Sequence, residues 1–175
     1  MTRPEDVIVV DDADRAIGVS PKLEAHHAGL LHRAFSVFVG DGAGRVLLQR
    51  RALDKYHSAG LWTNTACGHP RPGEHTADAA LRRLWEEMGV RCALQRAGAF
   101  RYRSELDGGL VEHEIDHVFV GRWAGEPCAD PSGVVEWRWA SVADVMKELR
   151  ERPARFTAWF AEALAHALPL LAPER

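Results

Sequence analysis

The chain has 175 residues, 46% of them hydrophobic, which suits one domain over residues 1–175 with a single sizeable core. A formal net charge of -3 supplies no basic stripe for a nucleic-acid backbone and no polybasic arm for an anionic membrane. Three cysteines (Cys67, Cys92, Cys128), an odd number without framework spacing, argue against a disulfide scaffold and for a reducing, cytoplasmic setting, so the expected partner is a small molecule, with no obligate protein partner evident.

The opening MTRPEDVIVVDDADRA is acidic and lacks the charged-then-apolar pattern of a signal peptide. β-Branched and aromatic runs predict strands at 7–10 (VIVV) and 34–40 (AFSVFVG), and 45–50 (RVLLQR) follows across DGAG as a hairpin. The intervening SPKLEAHHAGLLHRAF reads as irregular chain or a short helix. From Thr76 to Met88, apolar residues at Ala77, Ala80, Leu81, Leu84, Trp85 and Met88 have the spacing of a helix with one buried face, and Gly89 is placed to stop it. AFRYR (99–103) and LVEHEIDHVFVG (110–121) predict strands around the turn-forming LDGG, and VVEWRWAS (134–141) predicts another, about six in all. SVADVMKELRER carries a serine cap and helical periodicity, and TAWFAEALAHAL supplies a last helix. The apolar run that contains it is broken by Glu162, His166 and Pro169, short of the roughly 18 uninterrupted apolar residues of a membrane span. Strands flanked by a few helices predict an α+β fold with helices packed around a mixed central β-sheet.

The stretch WTNTACGHPRPGEHTADAALRRLWEEMGV, residues 62–90, carries the chemistry. It reads Gly68, five residues, Glu74, seven residues, then Arg82, Arg83, Leu84, Trp85, Glu86, Glu87, Met88, Gly89 and Val90. That pattern resembles the Nudix box, with one specified position changed: Arg83 stands where the hydrolases carry a glutamate. A carboxylate cluster on one helix face can hold Mg²⁺ against a diphosphate. Arginine there removes a metal ligand and adds a donor fork for phosphate oxygens, so the helix should bind diphosphate and lose the power to hydrolyse it. Taken alone, Arg83 and Glu87 are simply a surface i, i+4 ion pair worth about 0.3–0.5 kcal/mol.

NTACGHP before a box of this altered type, with EHEID further on, is similar to the type I isopentenyl diphosphate isomerase family. GLLHRAFSVF, LLQRRALDK, LWTNTACGHP, FRYR and EHEID fall in that family's order, so the resemblance runs from about Lys22 to Trp159. It implies a Nudix-like α/β/α sandwich and the interconversion of isopentenyl and dimethylallyl diphosphate, in which one proton is added to an alkene and another is removed from a neighbouring carbon. Such chemistry needs an acid at one end of the double bond, a base across the substrate, and a site that keeps water from the intermediate cation.

By motif, the resemblance makes Cys67 and Glu114 the two proton-transfer groups, without settling which handles which proton, and places Tyr102 beside the carboxylate. It implies a divalent-metal site of His32, His69, Glu112, Glu114 and one histidine of EAHHAG; imidazole and carboxylate donors suit Zn²⁺, Mn²⁺ or Fe²⁺. Glu112 and Glu114, two apart on a strand, point to one face. Counting back from His32 by the family's spacing leads to Ala25; a one-residue deletion brings in His26, and aligning Lys22 with the family's phosphate-binding lysine uses the same deletion, with His27 as the alternative. Glu87 corresponds to the carboxylate that holds Mg²⁺ together with the substrate's diphosphate and the main-chain carbonyl of Cys67. Lys22, Arg51, Lys55 and Arg83 match the cations that neutralise the diphosphate, and Trp159 matches an aromatic lid for the developing cation. Cys92 and Cys128 match nothing in the family and read as ordinary small hydrophobes.

Overall fold

Strand β3 (His32–Gly40) is buried along all but one of its residues, which makes it the spine of the sheet. The computed structural model describes residues 3–55 and 57–173, and all of their strands join one mixed sheet. β8 (Val111–Arg122) pairs parallel to β3 along one edge, in the register His32 with Glu114 through Gly40 with Arg122. The other edge of β3 is shared in turn by β1 (Asp6–Val10), β6 (Ala66–Gly68) and β4 (Arg45–Arg51), all antiparallel. β7 (Leu94–Glu105) flanks β8, β9 (Val134–Ser141) and the short β5 (Trp62–Thr63) flank β4, and β2 (Ala16–Pro21) flanks β1.

Alternation along β3 decides what each face carries. Phe35, Val37 and Val39 pack with Ala79, Ala80, Leu84 and Met88 of helix α2 (Thr76–Met88). On the opposite face Phe38, with Val118 and Val120 of β8, packs with Val145 of α3 (Val142–Glu151) and with Phe160, Ala163, Leu164 and Ala167 of α4 (Phe160–Leu171). Full burial of each large apolar side chain contributes about 1.5–3 kcal/mol. Helices therefore cover both faces, the expected sandwich.

Each predicted helix is present, and Ser141 caps α3 by accepting a hydrogen bond from the Asp144 amide. The segment left open between irregular chain and helix forms α1 (Lys22–Ala28). Among the described residues, nine strands exceed the six expected. β2 is an exposed edge strand whose Ile17 is 67% exposed, so it shows no alternating pattern. β5 and β6 are two and three residues long, too short for a period to register. β7 begins at Leu94, ahead of the predicted Ala99, because polar Gln95 and Arg96 precede a bulge at Gly98. Helix α4 starts at Phe160, later than its apolar run suggested; Thr157 is held instead by its amide bond to the Trp62 carbonyl.

Candidate active site

Strand pairing puts the chemistry on one face of the sheet. Residues directly opposite each other on paired strands share a face, and His32, Ala34 and Ser36 alternate onto the same side of β3. Glu114 lies opposite His32, Asp116 opposite Ala34, and Cys67 opposite Ser36. Tyr102 of β7 lies opposite Glu114. Cys67 and Glu114 thus arrive from strands on the two sides of β3 and line a single cavity of about 540 Å³. Lys22, Arg51, Lys55, His69, Arg83, Glu87, Glu112, Asp116 and Trp159 line it as well.

At one end four groups converge. Donor atoms of His26, His32, His69 and Glu114 lie within 4.8 Å of one another. Two of these imidazoles are aimed by main-chain carbonyls: His26 Nδ1 lies 2.6 Å from the Lys22 carbonyl and His32 Nδ1 2.8 Å from that of Leu30. Each anchor turns the ring's Nε2 inward, the usual support of a metal-bound histidine. His32 Nε2 is buried 3.2 Å from Glu114 Oε1 without the alignment of a hydrogen bond, as expected of two donors aimed at a common point. This donor set of imidazoles and a carboxylate fits a divalent ion. Glu112 stands just behind, with Oε2 3.6 Å from His26 Nε2 and Oε1 3.2 Å from His57 Nε2. Of the two histidines in EAHHAG, His26 is fully buried in this cluster and His27 is exposed on the far side of α1.

Charge in this end is strongly shaped by burial. Burial would raise the Glu114 carboxyl, but His32 and the Tyr102 hydroxyl, which donates at 2.6 Å, hold it down at about 2. Burial would lower His32, and Glu114 more than compensates, raising it. The position beside Glu114 therefore favours a positive charge, met by an imidazolium or by a divalent ion. Burial drives His69 well below its ordinary value and Tyr102 well above its own, leaving both neutral. Across the cavity, burial pushes the Cys67 thiol up to about 12 against the pull of Arg51, whose Nη1 lies 3.9 Å from the sulfur. At neutral pH one side carries a proton on sulfur and the other an ionised carboxylate.

The second end belongs to the helix-borne motif. Gly68 packs closely under this motif: a Cβ there would sit 3.3 Å from Phe35 Cζ and 3.4 Å from Arg83 Cγ. Arg83 pairs with Glu87 and donates to Glu86 at 2.8 Å, so the i, i+4 pair exists and faces the cavity. Glu87 also accepts from Gln49 Nε2 at 2.7 Å. The neighbouring Arg82, which also lines the cavity, clamps Glu74 through two bonds of 2.8 Å, tying the loop after β6 to α2. Gly89 ends α2 at φ 64°, where a Cβ would meet the Cys128 carbonyl at 2.9 Å. Lys22 lines the cavity with its charge opposed by burial.

Trp159 forms part of the cavity wall, 5% exposed, with the Arg51 guanidinium 5.6 Å from its ring centre. Its indole nitrogen donates to Asn64 Oδ1 at 3.1 Å, and fully buried Asn64 also receives the Thr63 hydroxyl. With His26 and not His27 in the cluster, the residues given proton-transfer, substrate or metal roles line the cavity or, for His26, His32 and Tyr102, contact its lining carboxylates. Sequence reasoning missed Gln49, Asn64, Asp116 and His57. Asp116 carried a readable signal, as the third acid in the alternation of EHEID; burial raises it well above its ordinary value, and Ser36 donates to it at 2.7 Å.

The sheet, the crossing helix α2 and its glycine-to-glutamate motif define the class: residues 30–160 match the NUDIX domain family. The MutT protein of Methanosarcina mazei Go1 has the same fold, with a TM-score of 0.65 at 20% identity over 80% of this chain and 94% of that one. Much closer in sequence is the isopentenyl-diphosphate Delta-isomerase of Burkholderia multivorans, 51% identical over 95% of this chain and 96% of its own. Isopentenyl-diphosphate Delta-isomerase 2 of Aromatoleum aromaticum is 49% identical over 91% and 85%. The chain belongs to the isopentenyl-diphosphate Delta-isomerase family, within the NUDIX domains.

Proposed function

We propose that the protein interconverts isopentenyl and dimethylallyl diphosphate for isoprenoid biosynthesis, in the cytoplasm. Protonating the terminal methylene of the isopentenyl group makes a tertiary cation, and loss of a proton from the carbon on the diphosphate side completes the shift. The observation that carries the reading is the placement of Cys67 and Glu114 on one sheet face, in one cavity whose lining also holds Lys22, Arg51, Lys55 and Arg83. Cys67 and Glu114 supply one proton-transfer group from each side of β3, as adding a proton at one carbon and removing one from its neighbour require. Tyr102 holds Glu114 in place through its hydroxyl. Trp159 and Ala34 wall the alkene from water, and the indole face supports positive charge next to it.

His26, His32, His69, Glu112 and Glu114 would hold Mn²⁺, Zn²⁺ or Fe²⁺. When bound, such an ion increases the acidity of groups coordinated to it. Glu87, with the substrate's diphosphate and the Cys67 carbonyl, would hold Mg²⁺, whose preference for oxygen ligands suits that set. Lys22, Arg51, Lys55 and Arg83 bind the diphosphate; three of the four reach in from elements other than the box helix. Three free cysteines support a cytoplasmic protein, and among the described residues no helix is long and apolar enough to cross a membrane.

The test is product analysis by ³¹P and ¹H NMR after the metal-loaded protein is given isopentenyl diphosphate. Dimethylallyl diphosphate without phosphate release is the expected result. Release of inorganic phosphate or diphosphate would make the protein a hydrolase and end this reading.

A further inference from the structure

His57, in the loop between β4 and β5, belongs to neither the ligand set nor the proton-transfer pair, yet it is 7% exposed and lines the cavity. Its surroundings are specific. Nε2 lies 3.2 Å from Glu112 Oε1, and Nδ1 lies 3.3 Å from the Ser58 hydroxyl. The ring stacks on His26, with centroids 5.6 Å apart and planes at 26°, and meets Trp159 edge-on at 6.4 Å. Its main-chain carbonyl accepts from Arg51 Nη2 at 3.2 Å.

Glu112 is thereby held from two sides. Oε2 faces His26 Nε2 at 3.6 Å and the Tyr102 hydroxyl at 3.4 Å, while Oε1 faces His57. The imidazole nitrogen of His57 groups with His26 and Glu112, and stands outside the cluster of His26, His32, His69 and Glu114. With the proton on Nε2, His57 donates to Oε1 and its Nδ1 accepts from the Ser58 hydroxyl, which leaves Oε2 on the side of His26.

We propose that His57 is a positioning residue that orients Glu112 toward the metal cradle, and that its loop joins this carboxylate to Trp159 and Arg51. The inference rests on the metal reading above. Outer partners of this kind alter metal affinity about 10- to 100-fold when removed. Because the same loop carries Lys55 and contacts Arg51, the imidazole end and the cationic end are mechanically joined at this point.

The experiment measures Mn²⁺ binding to chelator-treated protein by electron paramagnetic resonance titration, in the absence of substrate. Wild type, His57→Ala and His57→Gln are compared, with circular dichroism melts as a fold check. His57→Ala should bind Mn²⁺ about 10- to 100-fold more weakly, and His57→Gln, whose amide can still donate to Glu112, should recover most of the loss. Unchanged affinity in His57→Ala would overturn the proposal. Loss in both variants without rescue would overturn it too, making the imidazole itself a ligand. If the alanine variant is unfolded, the comparison of His57→Gln with wild type decides, with near-wild-type affinity expected and a loss of tenfold or more contrary. Wild type that binds no Mn²⁺ would remove the metal reading, whereas binding by wild type with no effect of His57 would remove only this inference.

Discussion

At the imidazole end of the cavity, His32, Glu112, Glu114 and Tyr102 are placed by backbone pairing across three adjacent strands, so their faces follow from register alone. Of the cations, Arg51 leaves the last residue of β4, Lys55 sits in a loop, Arg83 comes from α2, and Lys22 begins α1 beside the imidazole cluster, where Glu112 and Glu114 favour its charge. The imidazole cluster is buried and set by strand register; the cations are long side chains that converge from separate elements. The contrast matches the demands of the reaction. Proton transfer tolerates little displacement, and strands supply fixed geometry. A diphosphate with several negative charges is satisfied by cations that adjust to it.

The largest effect should come from the precise half. Cys67→Ala, and separately Glu114→Gln, should lower turnover about 10²- to 10⁴-fold with the melting curve little changed, since each removes a proton carrier and almost no core volume. The glutamine variant should also lose bound metal, measured by inductively coupled plasma mass spectrometry. Turnover within a few-fold of wild type in either variant would contradict the roles assigned to them.

The raised thiol predicts a pH dependence with a definite sign. Because burial holds Cys67 as a thiol up to about 12, its thiolate fraction grows about tenfold per pH unit below that value. Iodoacetamide alkylation of Cys67, followed by peptide mass spectrometry, should therefore climb about 10³-fold from pH 7 to pH 10 without levelling. A plateau near pH 8 would mean that Arg51 outweighs burial.

In the adaptable half, effects should be smaller and confined to binding. Arg83→Glu removes a charge-assisted contact worth roughly 1.5–3 kcal/mol, an increase of about 10- to 150-fold in KM, and should release no phosphate. Steady-state kinetics with a phosphate-release assay checks both. The smallest effect separates the two neighbouring arginines. Arg82→Ala breaks the clamp on Glu74 and should cost about 1 kcal/mol in a denaturation curve, with KM unchanged.

The same division governed how much could be read in advance. Helix α2 was legible because its apolar spacing and its glycine stop agree, and the i, i+2 carboxylates of EHEID announced a shared face. Spacing from His32 led to Ala25, and His26 was reached only by a one-residue deletion that also aligns Lys22; burial on α1 is what separates it from the exposed His27. Gln49 and His57 were missed because their contacts, Gln49 with Glu87 and Thr65 and His57 with Glu112, His26 and Trp159, are made to residues distant in sequence and leave no spacing to read. β5 and β6 escaped because strands of two and three residues are fixed by pairing with β4 and β3 and by the buried Asn64, not by their own propensity. Long-range pairing writes no local pattern.

The most direct measurement follows isopentenyl diphosphate incubated with the wild-type protein and Mg²⁺ in deuterated water, by mass spectrometry and NMR. The account predicts deuterium bound to carbon in both isopentenyl and dimethylallyl diphosphate, with the diphosphate intact. Cleavage of the diphosphate with no label on carbon would contradict it.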